Sequence, residues 1–279
     1  MNLINRAYSK FTLLNIAEKL IIINILFFAI PYLINGIMFL FGQQILFKLN
    51  FLKLSPELSK IIIQPWSIVT YSFIHGGFGH ILWNMLLLYF SSQFFFNLFS
   101  KQKFINTYFL GVILGGILFV LSFYIFPVFK GLNVNLIGSS AGVMAVIIFV
   151  CTYTPDQEIR ILFFNLKLKY IGIILITLNI IQLPSGNAGG NIAHLGGALF
   201  GFLYAFNLKK GIDIAHSFEI FLNYLSKLFI VEKKEKKEKN YTKSDVKQKK
   251  IDEILDKINR SGYDSLTKEE KDFLFKAGK

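Results

Sequence analysis

The sequence predicts an all-α, polytopic membrane protein: six transmembrane helices, a cytoplasmic amphipathic helix and a small helical tail. Two observations carry this. Apolar residues make up 53% of the chain and aromatics 16%, too much apolar surface for a disordered segment, and it does not follow heptads. Charge is also segregated. Residues 1–208 hold 12 Lys or Arg and 4 Asp or Glu, whereas residues 209–279 hold 18 and 13. A soluble domain of roughly 200 residues could not wet its surface with so few charges.

Each span needs about 20 apolar residues. The expected spans are Leu20–Phe41, His80–Phe99, Phe104–Phe126, a shorter Gly138–Tyr153, Leu168–Leu183 and Asn191–Leu208. The first follows Arg6, Lys10 and Lys19, as a signal peptide would, but its apolar run is too long and no small-x-small cleavage site follows. With the N-terminus cytoplasmic, the inner segments carry ten Lys or Arg and the outer loops only Lys48, Lys53, Lys60 and Lys130. The positive-inside bias therefore places both termini in the cytoplasm. Ile, Asn, Lys and Phe are abundant, as in an AT-rich bacterial genome, which suggests a bacterial cytoplasmic membrane.

The domain plan is a membrane domain over 1–210, an interfacial helix over 211–231, a Lys-rich linker over 232–250 and a helical tail over 251–279. In the interfacial helix, Ile214, Phe218, Phe221, Leu222 and Leu225 share one face. In the tail, Ile251, Ile254, Leu255 and Ile258 mark one helix, Ser261-Gly262 ends it, and Thr267 with Glu270 is a capping box for the next. Residues 42–66 form a long outer loop, with Trp66 and Tyr71 as interface anchors.

The single Cys151 excludes a disulfide framework and a Cys-based zinc site. A net charge of +13 raises nucleic acid as a partner, but the cations lack the interleaved stacking aromatics of a binding groove. The expected partners are the lipid bilayer and transmembrane protein substrates, with no nucleic acid, no cofactor and no metal; the tail's partner is unassigned.

Polar groups inside spans are costly and mark function. Three clusters stand out: His75 to Asn84, Gly138 to Gly142, and Asn191 to Gly197. Spans two, four and six run in the same direction, so the clusters share one depth near the outer surface. His80 and Asn84 are four residues apart and share a helix face. Acyl transfer fits this set. Ser140 is the candidate nucleophile, with backbone N–H groups at a helix start to hold an oxyanion. His194 is the candidate base. His80 and Asn84 add side-chain donors. The acids before residue 209 are Glu18, Glu57, Asp156 and Glu158, none within an expected span, so the expectation is a Ser-His dyad with no acidic third member. His75 either orders water or anchors its loop. Small residues at Ala193, Gly197 and Gly201, and at Gly138 and Gly142, would let spans four and six approach closely.

Together these motifs resemble the rhomboid family of intramembrane serine proteases. The pieces are Gln64-Pro65-Trp66, Thr70 to His75, His80-x-x-x-Asn84, Gly138-x-Ser140, and Ala193-His194 followed by Gly197 and Gly201. The resemblance covers residues 15–208. It implies a six-helix core, Ser140 as nucleophile, His194 as base, and His80 with Asn84 at the oxyanion. It implies cleavage of transmembrane substrates near the outer surface. Ala141 follows the serine where many rhomboids have Gly, with Gly142 one step on. The competing readings are a non-catalytic rhomboid-like protein that binds transmembrane clients, and a transporter, which would want broken helices at the midplane.

Overall fold

The computed structural model describes residues 5, 9, 11–43, 48–161, 164–229, 243–261 and 263–277. They form two compact units, Met1–Leu225 and Ser226–Lys279. Helix dominates both.

The first unit is a helical bundle. Helix α1 (Ile16–Leu40) starts earlier than expected because Asn15 and Glu18 close a reciprocal capping box. A connecting segment carries the short helices α2 (Leu58–Ile63) and α3 (Ser67–Thr70). Then follow α4 (Phe78–Phe96), α5 (Lys101–Ile125), α6 (Ser140–Tyr153), α7 (Leu168–Ile181), α8 (Ala188–Lys209) and α9 (His216–Phe229), whose last four residues fall in the second unit. Of the expected spans, α1 and α5 are long and apolar enough to cross a membrane, whereas α6 and α7 are apolar but only 14 residues each. Helices α4 and α8 fall outside both groups. His80, Asn84 and Gln93 dilute the first, and Asn191, His194 and a run of glycines dilute the second.

Strand structure is an addition to the all-α expectation. β1 (Glu158–Ile161) pairs antiparallel with β2 (Phe164–Lys167), with Glu158 opposite Lys167 and Arg160 opposite Asn165. The segment alternates charged or polar with apolar residues, the period-2 signal of a strand. Lys169 and Lys167 bind Asp156 beside this hairpin and hold its carboxyl below the usual range.

Helix α6 is the hub. Residues 141–151 are all buried, as expected of a helix apolar on every side. It packs against α5 and α8 most closely, and against α4 and α7. Glycines set those distances. A Cβ on Gly201 would lie 2.2 Å from Ala145 O, and one on Gly115 would lie 2.7 Å from both Ala141 Cβ and Ala193 O. Gly142 does not face α8 as expected; its Cβ position is 2.7 Å from the Tyr108 ring of α5.

The segment before α4 is tied to the chain leading into α6. Leu54 and Leu136 exchange backbone hydrogen bonds of 3.2 and 2.8 Å, and Gly138 N–H donates to Tyr71 O at 3.0 Å. Trp66 is half exposed and donates from Nε1 to Phe51 O. Tyr71 is fully buried and donates to Val112 O at 2.8 Å, so it is a core residue and not the interface anchor expected. An aromatic sequence position alone does not distinguish the two.

At the opposite end of α5, Lys103 pairs with Asp213 in the turn between α8 and α9. Partial burial alone would push the Asp213 carboxyl up, but Lys103 and the Ala215 backbone N–H outweigh it and hold it below its usual range. Asp213, His216 and Glu219 place ligand-type atoms within 4.8 Å of one another. Asp213 already has one oxygen on Lys103 and the other on the Ala215 N–H, so this cluster has its cation built in.

In the second unit, α10 (Lys243–Ser261) and α11 (Lys268–Ala277) bury Ile254 and Leu266. Lys257 bonds Glu270 at 2.9 Å, and the Thr267–Glu270 capping box forms with bonds of 2.8 and 3.3 Å. Helix α10 begins at Lys243, inside the segment expected to be linker; the remainder of that linker, 232–242, lies outside the described residues.

Candidate active site

The N-terminal ends of α4, α6 and α8 converge on a cavity of about 500 Å³. His80, Ser140 and His194 all line it. Its apolar wall comes from Phe119 and Phe123 of α5, and from the segments before α6 and α8. The three polar side chains predicted from spacing and direction are therefore neighbours, and each is only partly buried.

Ser140 is the first residue of α6, so its backbone N–H has no partner within the helix. Ser139 caps the helix without a side-chain bond to it; its Oγ lies 3.3 Å from His75 Nε2 instead. His75 is buried and thereby anchors the loop before α4 to the start of α6. Gly138 takes φ +110°, a conformation that other residues rarely adopt. A Cβ there would lie 2.7 Å from His80 Nε2 and 3.6 Å from Ser140 Oγ. This glycine is needed for the turn and for the approach of His80, not as part of a helix-packing ridge.

The hydrogen bonds of the two histidines favour opposite tautomers. The Gly76 backbone N–H donates to His80 Nδ1 at 3.4 Å. Nδ1 is then the acceptor, and Nε2 carries the proton beside Ser140. His194 Nδ1 lies 2.7 Å from Asn179 Oδ1. The Asn179 amide is oriented by its own donation from Nδ2 to Leu175 O at 2.8 Å, which leaves Oδ1 for the histidine. An amide oxygen only accepts, so His194 Nδ1 bears the proton and Nε2 is the basic nitrogen. Ser140 Oγ and His194 are not directly hydrogen bonded in this structure.

Asn84 lies one turn along α4 from His80. It is buried, and its Nδ2 donates to His80 O at 2.9 Å; it is not among the residues lining the cavity. Asn179 is the polar neighbour that sequence reasoning missed. Its signal was an amide within the expected span Leu168–Leu183, the same kind of signal that singled out His80 and His194, but Lys169, Thr177 and Gln182 in the same run diluted it.

A Rhomboid domain model matches residues 63–211, more than half of the chain and every residue of this cavity. The chain belongs to the rhomboid family. A second match, to a family of unknown function, covers 233–276. Among curated proteins, the mitochondrial presenilin-associated rhomboid-like proteins of Bos taurus and Homo sapiens are each 27% identical over 154 residues, 54% of this chain and 39% of theirs. The mitochondrial presenilin-associated rhomboid-like protein A of Danio rerio is 30% identical over 141 residues, 49% of this chain and 36% of that one. The chain thus matches about two fifths of the length of these relatives. Their names correct the expectation of a bacterial cytoplasmic membrane with cytoplasmic termini: the curated relatives of this rhomboid are mitochondrial proteins of animals. An abundance of Ile, Asn, Lys and Phe reports base composition and apolar demand; it does not report a compartment.

Proposed function

We propose that this rhomboid is an intramembrane serine endopeptidase that hydrolyses peptide bonds of transmembrane substrates, with α1, α4, α5, α6, α7 and α8 as its membrane-crossing core. The observation that carries the reading is the pair of opposed histidines around Ser140: one presents a proton, the other a lone pair. That is the division of labour an acyl transfer needs.

In the proposed reaction Ser140 Oγ attacks the scissile carbonyl carbon while His194 Nε2 takes the hydroxyl proton. The carbonyl oxygen becomes an oxyanion, which receives hydrogen bonds from His80 Nε2–H and the Ser140 backbone N–H. The positive end of α6 favours the same charge. Collapse expels the amine, which takes the proton from His194. Water then attacks the acyl-serine by the same route and regenerates the hydroxyl. Asn84 supports this by holding the first turn of α4, with its amide on the His80 carbonyl.

Depth follows from length. The 14 residues of α6 span roughly 21 Å, about 9 Å less than a hydrocarbon core. A short central helix leaves its first residue below the membrane surface, so Ser140 is reached through a recess. The cavity supplies room for the substrate carbonyl and for water.

A non-catalytic, client-binding role is the second reading. It is favoured by the missing direct bond between Ser140 and His194, although catalytic hydrogen bonds are often long without substrate. Purified protein in liposomes, mixed with a fluorogenic transmembrane peptide, separates the two. The protease reading expects cleavage that Ser140→Ala and His194→Ala abolish; cleavage that persists in both variants overturns it.

A further inference from the structure

We propose that Asn179 is a positioning residue for the base, so that α7 is part of the catalytic machinery and not only a wall beside it. The inference rests on the hydrolase reading above and deepens it. Asn179 is buried and its Oδ1 is 2.7 Å from His194 Nδ1. Left alone, an imidazole divides its proton between two nitrogens and rotates. With Oδ1 fixed by the Leu175 carbonyl, only the Nδ1–H form makes the bond, and this is the form whose Nε2 can accept the Ser140 proton. The unit is a Ser140–His194–Asn179 relay of orientation in which the third member stays neutral. In this apolar setting an amide needs no compensating charge, whereas a carboxylate would.

The same bond makes the site depend on where α7 sits. Helix α7 buries only Leu168, Gly172 and Asn179. Two side-chain bonds tie its C-terminal end to α8: Asn179 to His194, and Asn191 Nδ2 to Gln182 O at 2.8 Å. A movement of α7 away from α8 by a bond length breaks the first and frees the imidazole. Hydrolysis therefore requires α7 seated, and the seated state is read directly at His194.

The test uses the full-length protein in detergent, a fluorophosphonate probe, and the variants Asn179→Leu and Asn179→Asp. Leu fills similar volume and suits an apolar helix, but it accepts no hydrogen bond. Asp keeps the acceptor atom in place at the expense of burying an acid. A positioning role predicts that Asn179→Leu lowers the maximal labelling rate roughly 10- to 100-fold. The half-saturating probe concentration and the melting midpoint stay at the wild-type values. Asn179→Asp, which keeps the acceptor, loses less rate than Asn179→Leu even though its buried acid lowers the melting midpoint. A packing role predicts the reverse order, with Leu harmless and Asp damaging, and that result overturns the proposal. So does a loss of melting midpoint in both variants that matches their loss of rate. If Ser140→Ala labels like the wild type, the hydrolase reading itself falls; if Ser140→Ala is dead while Asn179→Leu labels normally, only the role of Asn179 falls.

Discussion

A Cβ placed on Gly197 would lie 2.0 Å from the carbonyl oxygen of Ala141. Gly197 is three residues after His194, and Ala141 is the residue after Ser140, so this backbone contact sets the distance between proposed base and nucleophile. The neighbour is main chain and cannot step aside. Gly197→Ala must push α8 off α6 by about 1 Å, and a displacement of that size costs about 100-fold in rate. Gly197→Leu should also destabilise the fold by about 3 kcal/mol. Labelling rate and melting midpoint of both variants check this; an Ala variant with the wild-type rate would show that the contact can yield.

Gly138→Ala tests the second close approach. Its φ of +110° disfavours any side chain, and the new methyl would meet His80 Nε2 at 2.7 Å. The expected outcome is a destabilisation of about 1–2 kcal/mol together with a labelling loss larger than that figure explains, because His80 is displaced. His80→Ala, which removes the donor without touching the turn, should lose about 100-fold and keep the melting midpoint. A His80→Ala protein with full activity would remove His80 from the oxyanion role.

The acid side of the pH profile should report the base. His194 works only when neutral, so the labelling rate rises with pH through a single ionisation and then levels off. Ser140→Cys brings a more acidic nucleophile and should shift that dependence. A wild-type rate that shows no fall on the acid side, down to the pH at which the protein itself unfolds, would contradict general-base duty for an imidazole.

The Lys103–Asp213 pair makes a different pH prediction. Its side chains are 25% and 22% exposed. Because the folded-state carboxyl sits below its unfolded value, the pair stabilises at neutral pH and the contribution is lost as pH falls through the folded value. Asp213→Asn should lower stability by about 1 kcal/mol near pH 7. The gap to wild type should close as pH drops below the carboxylate range, which melting curves across pH would reveal. A gap that widens in acid would reverse the sign of the assignment.

Spacing and direction were enough to bring His80, Ser140 and His194 to one cavity, because a polar residue in an apolar run has few explanations. The contact of Gly197 and Gly201 with α6 was legible for the same reason: small residues four apart form a ridge. Pairings across the bundle were not legible. Asn179 to His194, and Lys103 to Asp213, join residues 15 and 110 positions apart, and nothing local specifies either. The sequence suggests only an acid as a partner for His194, whereas its neighbour in the structure is the Asn179 amide. A ridge through Gly138 and Gly142 would need helical register through both, but the helix begins only at Ser140. The β1–β2 hairpin is legible only as alternation within two four-residue strands, a signal weaker than that of the helices on either side.

Mapping the fluorophosphonate adduct by mass spectrometry tests the central claim most directly. The account predicts one adduct per chain, on Ser140, absent from Ser140→Ala and from His194→Ala. An adduct on Ser139 or elsewhere, or equal modification of the wild type and Ser140→Ala, would contradict it.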